Sequence, residues 1–187
     1  RFKEMAEETL SLQSFIDRLQ TTGKVTRAQM REVGAVGLAA KITGLSRDVR
    51  QSHPTNFYQR ISFPVAMEDG GDLLAFAKLR TEEILRSIKY VRQLLHYTEP
   101  FHGKVVSPKY DFKLQPNSLS VSLVEGLRGE ICHVAISDEN GDLKHYKMKD
   151  PSFHNWLAEA LAVRNQEISD FPLCNKSYDL SYCGYDL

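Results

Sequence analysis

The chain has 187 residues, 24 Lys+Arg against 24 Asp+Glu and 42% hydrophobic residues, enough for one well-buried core or a helical unit with a small sheet appended. The balanced charge, without a block of one sign, leaves no electrostatic footprint for nucleic acid and no polybasic patch for a membrane surface. The longest apolar runs, such as Val33 to Ala40, fall far short of the roughly 20 residues of a membrane span, and no secretory leader opens the chain, so a soluble intracellular unit is expected.

Residues 2 to 20 place Leu12, Phe15, Ile16 and Leu19 at helical spacing among charged positions, which predicts one amphipathic helix with a buried face, closed by Gly23. Thr26 stands three residues before Gln29, a capping box that starts a short helix Arg27 to Val33, with Gly34 as its stop. The next stretch, Gly34-Ala35-Val36-Gly37-Leu38-Ala39-Ala40-Lys41-Ile42-Thr43-Gly44, lacks both the G-x-G-x-x-G pattern and the Lys-Ser/Thr of a phosphate loop; its small residues predict close helix approach instead. Asn56 to Gly70 is rich in aromatics and Pro and is expected to be an irregular connector ended by Gly70-Gly71.

Asp72 caps the longest predicted helix, residues 72 to about 97, with Ile84, Ile88, Val91 and Leu95 on one stripe and Arg80, Arg86, Lys89 and Arg92 facing water or acidic partners. Pro100, Pro108 and Pro116 space out a passage where helix is not expected. Leu119, Val121 and Leu123 alternate with serines as a strand. Glu130 to Ser137 and Leu143 to Lys149 are extended runs joined across Asn140-Gly141, which predicts a hairpin. Asp150 as N-cap and Pro151 at the first helical position open a last helix, its apolar face formed by Phe153, Trp156, Leu157, Ala160 and Leu161. Cys132, Cys174 and Cys183 are an odd number without a C-x-x-C pair, against a disulfide framework or a self-contained zinc site and in favour of a reducing cytoplasm.

The order of elements predicts an α+β fold: mainly helical, with a long-helix bundle over residues 1–100, then a small antiparallel sheet and a C-terminal helix over 101–187, as one structural unit. The chain opens at Arg1 without an initiator Met and runs straight into helix-like sequence, so it reads as a piece of a longer polypeptide.

Four stretches carry a family resemblance. Gly34-Ala35-Val36, Gly44, and Arg47-Asp48-Val49-Arg50 followed by Pro54 resemble the Gly-Pro-Val, Gly and Asp-Val-Arg-x-x-x-Pro elements of nickel–iron hydrogenase large subunits and of their relative in respiratory complex I, its D-type subunit. The helix opened by Asp72 resembles the family's Gly-Asp-x-x-x-Arg long helix. Glu125-Gly126-Leu127-Arg128-Gly129-Glu130-Ile131-Cys132-His133 resembles the Glu-Ala-Pro-Arg-Gly-x-x-x-His element of the hydrogenases and the Glu-Ala-Pro-Lys-Gly-Glu of complex I. The tail from Ser177 to Leu187 is similar to the group 4 hydrogenase tail Ser-Phe-Asp-Pro-Cys-Tyr-Ser-Cys-Thr-Asp-Arg. Ser177, Asp179, Tyr182 and Asp186 fall in register, and the two metal-ligating cysteines fall on Ser181 and Gly184.

The resemblance implies the C-terminal part of such a large subunit, closest to energy-converting hydrogenase-related subunits that lack the nickel ligands. It pairs Arg128 with Asp179, which would pin the tail to the strand element, and makes His133 a candidate relay or ligand, although a histidine on a strand is more often a hydrogen-bonded core residue. A nickel–iron centre needs four thiolates, so Ser181 and Gly184 are read as degenerate ligand positions lining a former metal cavity, with no metal held by this segment. The complex I relative implies what such a cavity becomes, a quinone pocket near a neighbouring subunit's iron–sulfur cluster. The expected role is thus an oxidoreductase-complex subunit, fed or not by NADH, peripheral on the cytoplasmic face of the membrane and partnered by an iron–sulfur subunit and membrane subunits; the isolated piece is expected to be inactive. The alternatives are a non-catalytic coupling subunit and a true hydrogenase using Cys183 or Cys174 as replacement ligands.

Overall fold

In a computed structural model of the chain, the described residues are 1–61, 63–99, 103 and 113–186. The passage through Pro100 and Pro108, expected to be free of helix, lies almost wholly outside them. The helices are α1 (Phe2–Ser11), α2 (Gln13–Leu19), α3 (Arg27–Glu32), α4 (Gly37–Lys41), α5 (Val49–Ser52), α6 (Leu73–Thr98), α7 (Ser152–Ala162) and α8 (Phe171–Tyr178). Strands β1 (Leu119–Gly126), β2 (Gly129–Ser137) and β3 (Leu143–Lys149) form an antiparallel sheet in the order β1-β2-β3. This is the expected α+β class, mainly helical with one small sheet.

Local signals explain most element boundaries. Thr26 and Gln29 form both halves of the capping box that opens α3, and the Asp72 carboxylate accepts from the Ala75 N–H to open α6, each supplying a partner to an otherwise orphaned N-terminal N–H. The β2–β3 connection turns through Gly141 at φ +79°, and the Asp138 side chain accepts from the N–H groups of Asn140 and Asp142. Before α7 the Asp150 carboxylate accepts from the Ser152 N–H at 2.7 Å.

Three expectations about faces are corrected. The helix predicted over residues 2–20 is broken at Leu12, which is extended (φ −70°, ψ 115°). Thr9 and Ser11 turn their hydroxyls back onto the carbonyls of Met5 and Glu8, local bonds that compete with helix propagation. Neither α1 nor α2 contains a buried residue.

On α6 only Leu73, Leu74, Ala75, Phe76 and Leu79 are buried; the predicted stripe of Ile84, Ile88, Val91 and Leu95 is exposed, Leu95 by 64%. The buried residues of the helix are thus confined to its first turns, while further along Glu83, Arg86 and Tyr90 meet Lys41, the Pro64 carbonyl and the Phe63 ring.

On α7 the apolar residues Phe153 and Leu157 are exposed, while Ser152, Asn155, Ala158, Glu159 and Ala162 are buried. The inward face mixes the core residues Ala158 and Ala162 with polar groups that find partners there, Asn155 bonding the backbone of Val36 and Arg128 and Glu159 accepting from Asn175, while Trp156 and Leu161 of the predicted apolar face pack partly buried against the core. A buried amide costs little once its hydrogen bonds are made.

The core joins α3, α4, the start of α6, α7 and α8, with Met30, Ile42, Leu73, Leu79 and Cys174 among its most buried members. Gly37, at φ +57°, lies directly against Arg128 and Gly129, leaving no room for a Cβ. The small residues of that segment therefore admit the β1–β2 turn as well as a neighbouring helix.

Candidate functional site: a buried charge cluster beside the pinned tail

The Asp48-Val49-Arg50 stretch, the Glu125 strand end and two side chains that carried no motif converge on one buried charge cluster. Lys41, at the end of α4, has a side chain only 2% exposed. Its Nζ donates to Asp48 Oδ2 at 3.0 Å and to Glu83 Oε1 at 2.6 Å, and lies 3.7 Å from Glu125 Oε1. Arg50 clasps Asp48 with two bonds, Nε to Oδ1 at 2.8 Å and Nη2 to Oδ2 at 2.6 Å, and its guanidinium lies 4.1 Å over the Phe63 ring. Such fork-to-fork geometry keeps both ions charged in a dry site.

Burial pushes the Asp48 carboxyl up, but the Arg50 hydrogen bonds and the charges of Lys41 and Arg50 outweigh it and hold the group below the usual carboxylate range. Glu125 is placed otherwise. Burial and the nearby Asp48 charge raise it, the Val49 N–H, Lys41 and Arg50 pull it back, and the balance is a carboxyl pushed up to about 7.

The residues singled out around the tail are partly brought together. Arg128, in the β1–β2 turn, donates through Nε to the backbone carbonyl of Asp179, and its Nη2 lies 3.8 Å from Asp179 Oδ2. Lys176 lies closer to that carboxylate, at 3.0 Å, and its hydrogen bond is the main reason the Asp179 carboxyl sits below its ordinary value. Asp179 itself closes α8 in the left-handed region, φ 53° and ψ 43°. Arg80 adds a second guanidinium, donating to the Ser177 carbonyl at 2.7 Å; burial, with Arg128 nearby, lowers its pKa against the opposing pull of Asp179.

Ser181 and Gly184 face each other across one turn, the Gly184 N–H donating to Ser181 Oγ at 2.9 Å. The Ser181 N–H donates to Ser152 Oγ at 3.0 Å and its carbonyl accepts from the Trp156 indole at 3.3 Å. The tail is thus stapled to the start of α7. These positions do not fit a nickel–iron pair: Ser181 offers a hydroxyl already used in the turn, and a Cβ on Gly184 would come within 2.7 Å of Asp150 Cγ. Cys183 is exposed, while Cys174 is buried in the core, where burial pushes its thiol up to about 11. Among the described residues no group of three or more His, Cys, Asp and Glu could hold a metal ion.

His133 stands apart from the other candidates. Its Nδ1 pairs with the Tyr146 hydroxyl, and the strand register puts both on the sheet face opposite Glu125 and Glu130.

Several cavities adjoin these groups, among them a groove of about 550 Å³ lined by Arg80, Glu83 and Leu127. A polar cavity of about 380 Å³ is lined by Arg47, Asp48, Glu125, Glu130 and His154 among others. An apolar groove of about 730 Å³ runs along α7 under Trp156, Tyr182 and Tyr185. Arg128, Asp179, Ser181 and Gly184 line none of these three.

Sequence reasoning missed Lys41, Glu83 and Asn155. Lys41 alone left a signal, as the one charge inside an otherwise apolar and small run. Nothing local distinguishes Glu83 from Glu82 or marks Asn155, which holds Val36 at 3.0 Å and the Arg128 carbonyl at 3.0 Å and so positions Arg128.

Comparison with known proteins agrees with this architecture. The chain is 29% identical over 168 residues to the carbon monoxide-induced hydrogenase of Rhodospirillum rubrum, covering 89% of this chain and 45% of that protein. It is 32% identical over 136 residues to the NADH-quinone oxidoreductase D chain of Thermosipho melanesiensis (70% of this chain, 36% of the relative), and 29% identical over 142 residues to its counterpart in Geobacillus kaustophilus (75% and 38%). The chain spans less than half the length of these relatives. The sequence profile of the respiratory-chain NADH dehydrogenase 49 kDa subunit matches residues 1–122, and the chain belongs to that family.

Proposed function

We propose that the chain is part of the large subunit of a membrane-associated NADH–quinone oxidoreductase-like or hydrogenase-like electron-transfer complex, one that works without a nickel–iron centre. The observation that carries this reading is the tail: Ser181 bonds both Gly184 and α7 where the resemblance calls for thiolates. The relatives named as hydrogenase and as NADH-quinone oxidoreductase subunits support the class of complex. No described helix is long and apolar enough to cross a membrane, so attachment would run through an iron–sulfur subunit and membrane subunits, on the cytoplasmic face. Electrons would pass from the partner's cluster to a quinone. Arg128, with Arg80 beside the same carboxylate, would stabilise negative charge developing on the reduced acceptor. The test is quinone reduction by the assembled complex with wild-type subunit and with Arg128→Ala: a drop of about tenfold or more is expected, and equal rates would refute the role given to Arg128. Stoichiometric nickel in the full-length subunit, expressed with its maturation partners, would refute the metal-free reading.

A second reading, a non-catalytic subunit that holds an iron–sulfur partner against membrane subunits, is favoured by the aromatic residues of the tail. Tyr178 is buried against Phe76, while Tyr182 packs on Trp156 and Tyr185 stacks on Phe153 at the rim of the apolar groove. Quinone reduction unaffected by any change at Arg128, Asp179 or Arg80 would favour it.

A further inference from the structure

Among the described residues, the cluster around Lys41 contains one anion more than its cations can match. Lys41 and Arg50 supply two positive charges; Asp48, Glu83 and Glu125 supply three carboxyls. Asp48 is bound by both cations and Glu83 takes the shortest Lys41 bond. Glu125 gets what is left: its Oε2 accepts from the Val49 N–H at 2.9 Å, while its Oε1 is buried with no hydrogen-bond partner among the described residues, 3.7 Å from Lys41. The side chain is only 4% exposed. An ionised carboxylate oxygen left bare in a low-dielectric site is costly, and adding one proton removes both the bare charge and the surplus.

The same side chain has a route to water. Glu125 lines the polar cavity of about 380 Å³ together with Glu130 and His154, and also a smaller one of about 90 Å³ with His53 and Tyr58. Glu130 is its cross-strand partner in the β1–β2 register, so a second carboxyl faces it from β2. From α4, α5 and α6 it meets Lys41, Asp48, Arg50 and Glu83, and across the larger cavity stand Arg47 and His154. Burial, then Lys149, lower the His154 imidazole, against the pull of Glu130; a neutral ring can both accept and donate a proton.

We propose that Glu125 is a proton-binding site: its carboxyl is the surplus anion of the buried cluster, and it takes up one proton from water and returns it through the cavity shared with Glu130 and His154. The exchange is Glu125-COO⁻ plus H⁺ to Glu125-COOH, with no change in the other four groups. Its position near neutrality follows from the balance described above, which puts the carboxyl at about 7. The assignment does not depend on the electron acceptor or on the role of Arg128.

The test uses the assembled complex with the full-length subunit, by pH-jump infrared difference spectroscopy in water and deuterium oxide between about pH 5 and about pH 9. Wild type should show a protonated-carboxyl carbonyl band that shifts on deuteration and disappears through neutral pH, and Glu125→Gln should lack it. Glu83→Gln removes the surplus negative charge, frees Lys41 toward Glu125, and should move the titration to lower pH. No such band in wild type, a band that survives in Glu125→Gln, or a titration unmoved in Glu83→Gln would each overturn the proposal. Should Glu125→Gln fail to assemble, the wild-type band and its shift in Glu83→Gln decide on their own.

Discussion

The Gly184 position shows how tightly a single residue of the tail is packed. A cysteine there would place its Cβ within 2.7 Å of Asp150 Cγ, and Asp150 cannot easily retreat because its carboxylate holds the Ser152 N–H at 2.7 Å. Gly184→Cys should therefore destabilise the full-length subunit by about 1–3 kcal/mol, the usual cost of overpacking, measured by denaturant unfolding. A Gly184→Cys subunit as stable as wild type would mean that the turn has room for a side chain. The Arg128–Asp179 contact weighs less in energy: at 3.8 Å between partly exposed groups it contributes under about 1 kcal/mol. Its anchoring comes instead from the Arg128 bond to the Asp179 carbonyl and from Asn155 holding the turn behind Arg128.

At the level of elements, α6 divides at Leu79. Leu79→Ala should cost about 2–5 kcal/mol by opening a cavity in the core. Ile88→Glu, on the exposed part of the helix, should change the stability of this unit by no more than about 0.5 kcal/mol. Thermal melts of the two variants check the contrast, and similar losses would mean that the stripe is packed after all. The helix, its Asp72 cap, the capping box at Thr26 and the β2–β3 hairpin were legible because caps and turns act over a few residues. The buried faces of α6 and α7 were not. A stripe of apolar residues gives the side a helix can bury; which side it does bury depends on what other segments bring to it, and on α7 Asn155 and Glu159 find bonds beside the buried Ala158 and Ala162.

For the molecule as a whole, the charge cluster sets a pH dependence. Asp48 has a lowered pKa, so it adds stability above its unfolded value that is lost as pH falls through its folded one. Glu125 works in the opposite sense. Raised from an ordinary 4.5 to about 7, it holds more protons folded than unfolded throughout that window, so stability falls as pH rises from 4.5 through 7, by roughly 3 kcal/mol in total. Above 7 the loss is complete. Denaturant unfolding of the full-length subunit at about pH 5 and about pH 8 should show this decline in wild type and a flatter profile in Glu125→Gln; parallel profiles would exclude Glu125 as its source.

The family could be recognised from the sequence alone, because Arg47-Asp48-Val49-Arg50, the Glu125 to His133 element and the tail are contiguous strings whose order survives without coordinates. The α+β class was equally legible, since helix periodicity, caps and the Asn140-Gly141 turn are local. What only the tertiary structure decided is that Lys41, Asp48, Arg50, Glu83 and Glu125 share one buried site, that Asn155 is buried on α7 beside Ala158 and Ala162, and that Ser181 and Gly184 are engaged with the start of α7. Desolvation and Coulomb energies depend on distance and on the exclusion of water. Both are set by how α4, α5, α6 and β1 pack together, across a separation in sequence that no local pattern encodes.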